Sequence, residues 1–203
     1  TPAWAIVNAG GHGFYRVSYS KVLRDALSGR ALDVLSEAER YGLVDDTWSA
    51  VLAGDLKAED HIALITSLAS ETDLAVWQRM LSSLEHLHAI AEPPGQHRLE
   101  VLVRDLSTTG LGVLGLEPME NEPDLDRELR AALFAAAGTT GQDASVREMA
   151  NTLFADASAG NAVEPNLAAA VVRVVAAAGD DATHATLVDL YREAPTPQLE
   201  VRY

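Results

Sequence analysis

Cysteine is absent from the 203 residues. That excludes a disulfide framework, a thiolate metal site and a cysteine nucleophile, and it fits a reducing compartment, so a cytoplasmic location is expected. Aromatic residues are scarce at 5%, which disfavours a strand-rich fold. Basic residues are few: 15 Lys and Arg against 30 Asp and Glu leave a net charge of -15. Such a field repels phosphate backbones and anionic lipid surfaces, so neither a nucleic-acid nor a membrane partner is expected. Long apolar runs are missing too. The richest stretch, Leu167 to Ala178, is interrupted by Arg173, whereas a bilayer span needs roughly 18 to 20 apolar residues. Thr1 is followed by no charged segment and apolar run of the secretory kind.

What is present points to helix. Hydrophobic residues make up 48% of the chain, enough for a substantial core, and 34 alanines with 27 leucines supply a strong bias towards helix formers. Ser36-Glu37-Ala38-Glu39 is a capping box, after which Tyr41, Val44, Trp48, Val51 and Leu52 recur at helical spacing until Gly54. Further helices are predicted from Ala58 to Ala69, from Thr72 through Trp77, Met80, Leu81, Leu84, Leu87 and Ile90 to the Pro93-Pro94-Gly95 break, and then through Leu99, Leu102 and Leu106 to Gly110. Residues 111–123, rich in glycine, proline and acids, are the best place for a local break. Four more helices are predicted: Asp124 to Ala137, Asp143 to Ala157, Pro165 to Ala178 and Ala182 to Ala194. The pairs starting at Asp124 and Pro165 are offset by 41 residues, the period of HEAT and armadillo repeats. The fold expected is mainly α, a superhelix of such helix pairs over residues 20–203.

The two ends read differently. Trp4 to Asn8 and Phe14 to Tyr19 look like strands flanking the turn Ala9-Gly10-Gly11-His12-Gly13. A lone hairpin is marginal in water, so residues 1–19 are expected to be the edge of a β-domain outside this sequence. Thr196 and Pro197 mark a helix start that runs only to Tyr203. The chain therefore reads as an excised piece, expected to self-associate through its cut edges.

No constellation of catalytic residues stands out. The histidines at 12, 61, 86, 88, 97 and 184 form no H-E-x-x-H, and His86 and His88 point to different helix faces. Gly10 to Gly13 is followed by a predicted strand, not by the helix N-terminus that a phosphate cradle needs. Arg40 with Asp45 and Asp46 is read as a structural ion pair or interhelical contact, because adjacent carboxylates on a helix diverge. Glu117, Glu120, Glu122, Asp124, Asp126 and Glu128 are read as a solvated loop followed by favourable charges at a helix start. No catalytic, cofactor-binding or metal residue is assigned.

One ordered set of short motifs carries more. Phe14-Tyr15-Arg16-Val17-Ser18-Tyr19 is followed by Glu39-Arg40-Tyr41-Gly42-Leu43-Val44-Asp45-Asp46, Gly54-Asp55, Glu71-Thr72-Asp73 with Val76-Trp77, Gly115-Leu116-Glu117-Pro118, Gly179-Asp180 and Thr196-Pro197-Gln198. In that order they resemble the C-terminal domain of aminopeptidase N-like zinc metallopeptidases, a group that includes the endoplasmic-reticulum aminopeptidases. The resemblance implies a β-sandwich edge followed by an α-helical superhelix. It also implies zinc and catalysis in a separate upstream domain, through H-E-x-x-H, a distant Glu and a G-x-M-E-N strand. Met119-Glu120-Asn121 spells part of that last motif by coincidence, since Glu117 replaces its glycine and Pro118 breaks a strand. The expected role is to enclose the active-site chamber and govern peptide access. The expected partners are the upstream catalytic and β-sandwich domains and peptide substrates, in a parent expected to be bacterial. An α-solenoid interaction scaffold without peptidase activity is the alternative, and a self-sufficient enzyme is the weakest reading.

Overall fold

A computed structural model describes residues 4–116, 118–119 and 121–203. The sequence readings that fall on Glu117 and Glu120 lie outside the described residues. The chain divides into two compact units, one up to Gln96 and one from His97 to Tyr203. Residues 111–123 therefore lie within the second unit.

The first unit opens with an irregular segment carrying a short 3-10 turn at Ala9–Gly11. It continues with α1 (Lys21–Ser28), α2 (Ala31–Val34), α3 (Glu37–Ala53), α4 (Ala58–Ser67) and α5 (Leu74–Ile90). The boundary falls inside α6 (Pro93–Leu114). The second unit continues with α7 (Asp124–Gly138), α8 (Ala144–Ser158), α9 (Pro165–Ala178), α10 (Asp181–Glu193) and α11 (Pro197–Arg202). The mainly helical fold expected from composition is present in both units.

The expected hairpin is not formed: no strand occurs among the described residues. Side chains instead take the groups that a ladder would use. Asn8 Oδ1 accepts the Gly13 N–H at 2.7 Å, Asn8 Nδ2 donates to the Gly13 carbonyl at 3.0 Å, and the Val7 N–H donates to the Tyr19 hydroxyl at 3.2 Å. Two short extended segments without a third strand gain too little from pairing to outcompete these local bonds.

Helix ends follow their caps. In the Ser36 capping box, Ser36 Oγ accepts the Glu39 N–H and Glu39 Oε2 accepts the Ser36 N–H at 2.9 Å. Gly54, at φ +80°, closes α3 in a left-handed conformation that a side chain would strain. Asp73, Asp143, Glu164, Asp180 and Thr196 cap α5, α8, α9, α10 and α11 with side-chain oxygens. Two boundaries differ from expectation. α6 begins at Pro93 itself, where proline costs nothing because first-turn N–H groups have no intrahelical acceptor, and it runs past Gly110 to Leu114. Residues 21–34, within the expected helical domain but assigned no helix of their own from the sequence, form α1 and α2 and bury Arg24, Leu27 and Ala31.

The core of the first unit joins Leu43, Val44 and Trp48 of α3, Leu64 and Ile65 of α4, and Val76, Trp77, Met80 and Leu84 of α5. The core of the second sets small residues around Phe134: Ala131, Ala135 and Ala137 of α7 meet Val146 and Ala150 of α8 and Ala170, Val171, Val174 and Val175 of α9. A Cβ at Gly138 would lie 2.6 Å from Val174 Cγ1, which measures how closely α7 and α9 approach. The pairs α7–α8 and α9–α10 reproduce the predicted repeat. No helix among the described residues is long and apolar enough to cross a membrane.

Candidate functional site

A recess of the first unit lies where the N-terminal segment docks on α3. Tyr41 and Asp45, four residues apart, share one face of α3. Arg16, reaching from the segment, donates to Asp45 and lies 3.8 Å from Asp46. Gly10 N–H donates to Glu39 Oε1 at 2.9 Å. These bonds tie the segment to α3 beside a cleft of about 850 Å³, whose walls include Phe14, Tyr15, Tyr41, Glu37 and Asp73. Phe14 is fully exposed, and Tyr15 and Tyr41 are 54% and 40% exposed.

The charges here are largely settled internally. Asp45 is shared between Arg16 and Arg79, whose Nε lies 3.1 Å away. Burial pushes the Asp46 carboxyl up, against the Val17 N–H and Arg16, which favour its ionised form. The hydrogen bond to Asp45 raises the Arg16 guanidinium. Arg40 does not join Asp45 and Asp46 in one ion pair. Its Nε and Nη2 instead grip Glu71 at 2.6 and 2.9 Å, and its Nη1 donates to the Leu35 carbonyl at 2.7 Å. Burial pushes the Glu71 carboxyl up, but Arg40 and the N–H groups of Asp73 and Thr72 outweigh it and leave its pKa below the ordinary value. Glu71 thus fixes the loop between α4 and α5 to α3, and its own carbonyl accepts from Trp77 Nε1 at 2.8 Å. No pattern in the sequence joins residues 31 positions apart, although both lie within the motifs that carry the family resemblance.

The histidines are scattered. His61 is fully buried on α4, with Nδ1 2.9 Å from Thr47 Oγ1 of α3 and Nε2 2.9 Å from Ser83 Oγ of α5. Burial, helped by Arg79, lowers its pKa to about 4. His86 is exposed beside the Ser82 carbonyl, His97 faces Glu100 at 3.3 Å, and His12 and His184 are exposed. His88, half-buried, accepts Gln96 Nε2 at its carbonyl. Among the described residues no group of three His, Cys, Asp or Glu is arranged to hold a metal. Gly10 to Gly13 form a turn with no helix N-terminus behind it. His61, beside the hydroxyls of Thr47 and Ser83, is not among the residues that line the cleft.

In the second unit, Glu122 departs from the solvated-loop reading. It is buried against Arg130, which also donates to the carbonyls of Gly115 at 2.6 Å and Leu114 at 3.2 Å. The Arg130 hydrogen bond holds the Glu122 carboxyl below the usual carboxylate range. Asp124 and Asp126 do occupy the first turn of α7, and Glu128 is exposed. Met119 and Asn121 lie outside any strand.

The sequence matches the family model of the ERAP1-like C-terminal domain over residues 4–203. It is 32% identical over 149 residues to aminopeptidase M1-A of Oryza sativa subsp. japonica, covering 71% of this chain and 17% of that protein. It is 29% identical over 192 residues to aminopeptidase 2 of Candida albicans, covering 92% and 21%. With the puromycin-sensitive aminopeptidase of Caenorhabditis elegans it shares 25% identity over 203 residues, covering 96% and 21%. The chain therefore spans about a fifth of the length of the curated relatives it matches. These three relatives are eukaryotic and lend no support to a bacterial parent.

Proposed function

The chain belongs to the ERAP1-like C-terminal domain family, and from that premise we propose that it is the non-catalytic helical domain of a zinc aminopeptidase, enclosing the active-site chamber and governing which peptides enter. The observation that carries this reading is the match along residues 4–203 together with relatives that are themselves named aminopeptidases. Zinc and the cleavage of N-terminal residues are thus assigned to an upstream domain of the parent, and no step of that chemistry passes through this chain. The main chain around Ile6 and Val17 is proposed to pair with an upstream β-sandwich, and the location is proposed to be cytoplasmic. Self-association through exposed ends such as Val201 is proposed as well, and concentration-dependent sedimentation tests it.

The test is to express the gene with its upstream coding region beside the 203-residue chain. The longer protein should hydrolyse an aminoacyl reporter, lose that activity to a chelator and regain it with zinc. The chain alone should do neither and should bind no stoichiometric zinc. A longer protein with no chelator-sensitive activity would instead support an α-solenoid interaction scaffold.

A further inference from the structure

We propose that the cleft between the N-terminal segment and α3 receives an arginine or lysine side chain of an extended peptide. Its volume of about 850 Å³ lies within the ~300–1,000 Å³ of ligand sites, more than one side chain needs. Its apolar surface includes Phe14, Tyr15 and Tyr41, aromatic rings left exposed although the chain has few of them. Its carboxylates fall into two kinds. Asp45 and Asp46 are engaged by Arg16, Arg79 and the Val17 N–H. Glu37 and Asp73 are not matched in this way. Glu37 Oε1 lies 3.9 Å from an Arg40 already committed to Glu71 and Leu35, and Asp73 uses Oδ1 to cap Val76.

The chemistry of the walls selects the occupant. An anionic group would meet Glu37 and Asp73 within a chain of net charge -15. A wholly apolar segment would cover those carboxylates and leave them without a partner. A basic side chain satisfies both surfaces: its alkyl stem lies along the aromatic wall, its cationic head faces the ring faces and the carboxylates, and the field of the chain draws it in. The proposal rests on the aminopeptidase reading only for the source of the peptide, since every wall of the cleft belongs to this chain.

The 203-residue chain is titrated by calorimetry with a hexapeptide blocked at both ends, carrying a central arginine flanked by leucines. Matched peptides carry glutamate or leucine in its place. The arginine peptide should bind saturably at one site, and the glutamate and leucine peptides should not. Phe14→Ala and Tyr41→Ala should each weaken binding about three- to thirtyfold, and Glu37→Gln should weaken it and reduce its salt dependence. Phe14 is fully exposed, so its variant keeps the fold whatever Tyr41→Ala does. The proposal is overturned by absence of saturation at millimolar peptide, by equal binding of the leucine peptide, or by unchanged affinity in Phe14→Ala and Glu37→Gln, which would signify general attraction to the net charge. A parent without peptidase activity would leave this titration unaffected, so the two readings fail separately.

Discussion

His61 joins three helices of the first unit through its two ring nitrogens. Thr47 Oγ1 stands 3.0 Å from the carbonyls of Leu43 and Val44, and Ser83 Oγ 2.7 Å from that of Met80. A neutral imidazole carries one N–H, so it donates to one hydroxyl and accepts from the other, tying α3, α4 and α5 together. Unfolded histidine takes its proton near pH 6.5, whereas His61 does so only at about 4. As pH falls through that window the unfolded chain gains the proton first, and stability should drop by up to about 3 kcal/mol, levelling off at the lower end. The urea midpoint measured against pH should show this slope, and His61→Gln should flatten it. Glu71 acts lower: its folded pKa is depressed, so the stability it contributes is present above about 4.5 and is lost as pH falls through the folded value. Glu71→Ala strands Arg40 in the interior and should cost about 3–5 kcal/mol by denaturant unfolding. Replacing both partners with apolar residues should recover part of that loss.

At the level of helices, close approach matters most in the second unit. Gly138→Ala would drive a methyl group into Val174, and overpacking of this kind costs about 1–3 kcal/mol. Asp143→Ala removes the acceptor for the N–H groups of Ser145 and Val146 and should cost about 1 kcal/mol. Thermal melts of the two variants test these values. The helices that the sequence declares most clearly are those with such caps, and α9 was predicted at its observed bounds. α1 was missed because it has only eight residues and its N-cap Ser20 makes no side-chain bond, leaving no start signal. The hairpin expected from the two short strand-like segments does not form because Asn8 and Tyr19 supply nearer partners for the groups a ladder would use. On α3 the apolar spacing through Tyr41 and Leu52 pointed partly outward, since both are exposed while Arg40 and Thr47 face the interior. Polar residues occupy that buried face because each meets a partner from another segment, a condition no local pattern records. The cleft is invisible in the sequence for the same reason: its residues come from separate motifs, and their meeting is a tertiary event.

For the whole molecule, circular dichroism should be helical without a measurable strand component. Between pH 6.5 and about 4, His61 is the histidine whose depressed pKa opposes folding, so amide protection should fall first in residues up to Gln96 while the second unit holds. Equal loss in both units would place the acid sensitivity elsewhere. The second unit also has an order built into its joints. Arg130 of α7 donates to the carbonyl of Leu114, the last residue of α6, and to that of Gly115 just past it, and Arg147 of α8 donates to the Gly138 carbonyl at the end of α7 at 2.8 Å. During synthesis a chain emerges N-terminus first. Each of these helices therefore waits for its successor to leave the ribosome before its own end is sealed, and closure of the fold trails translation by one helix.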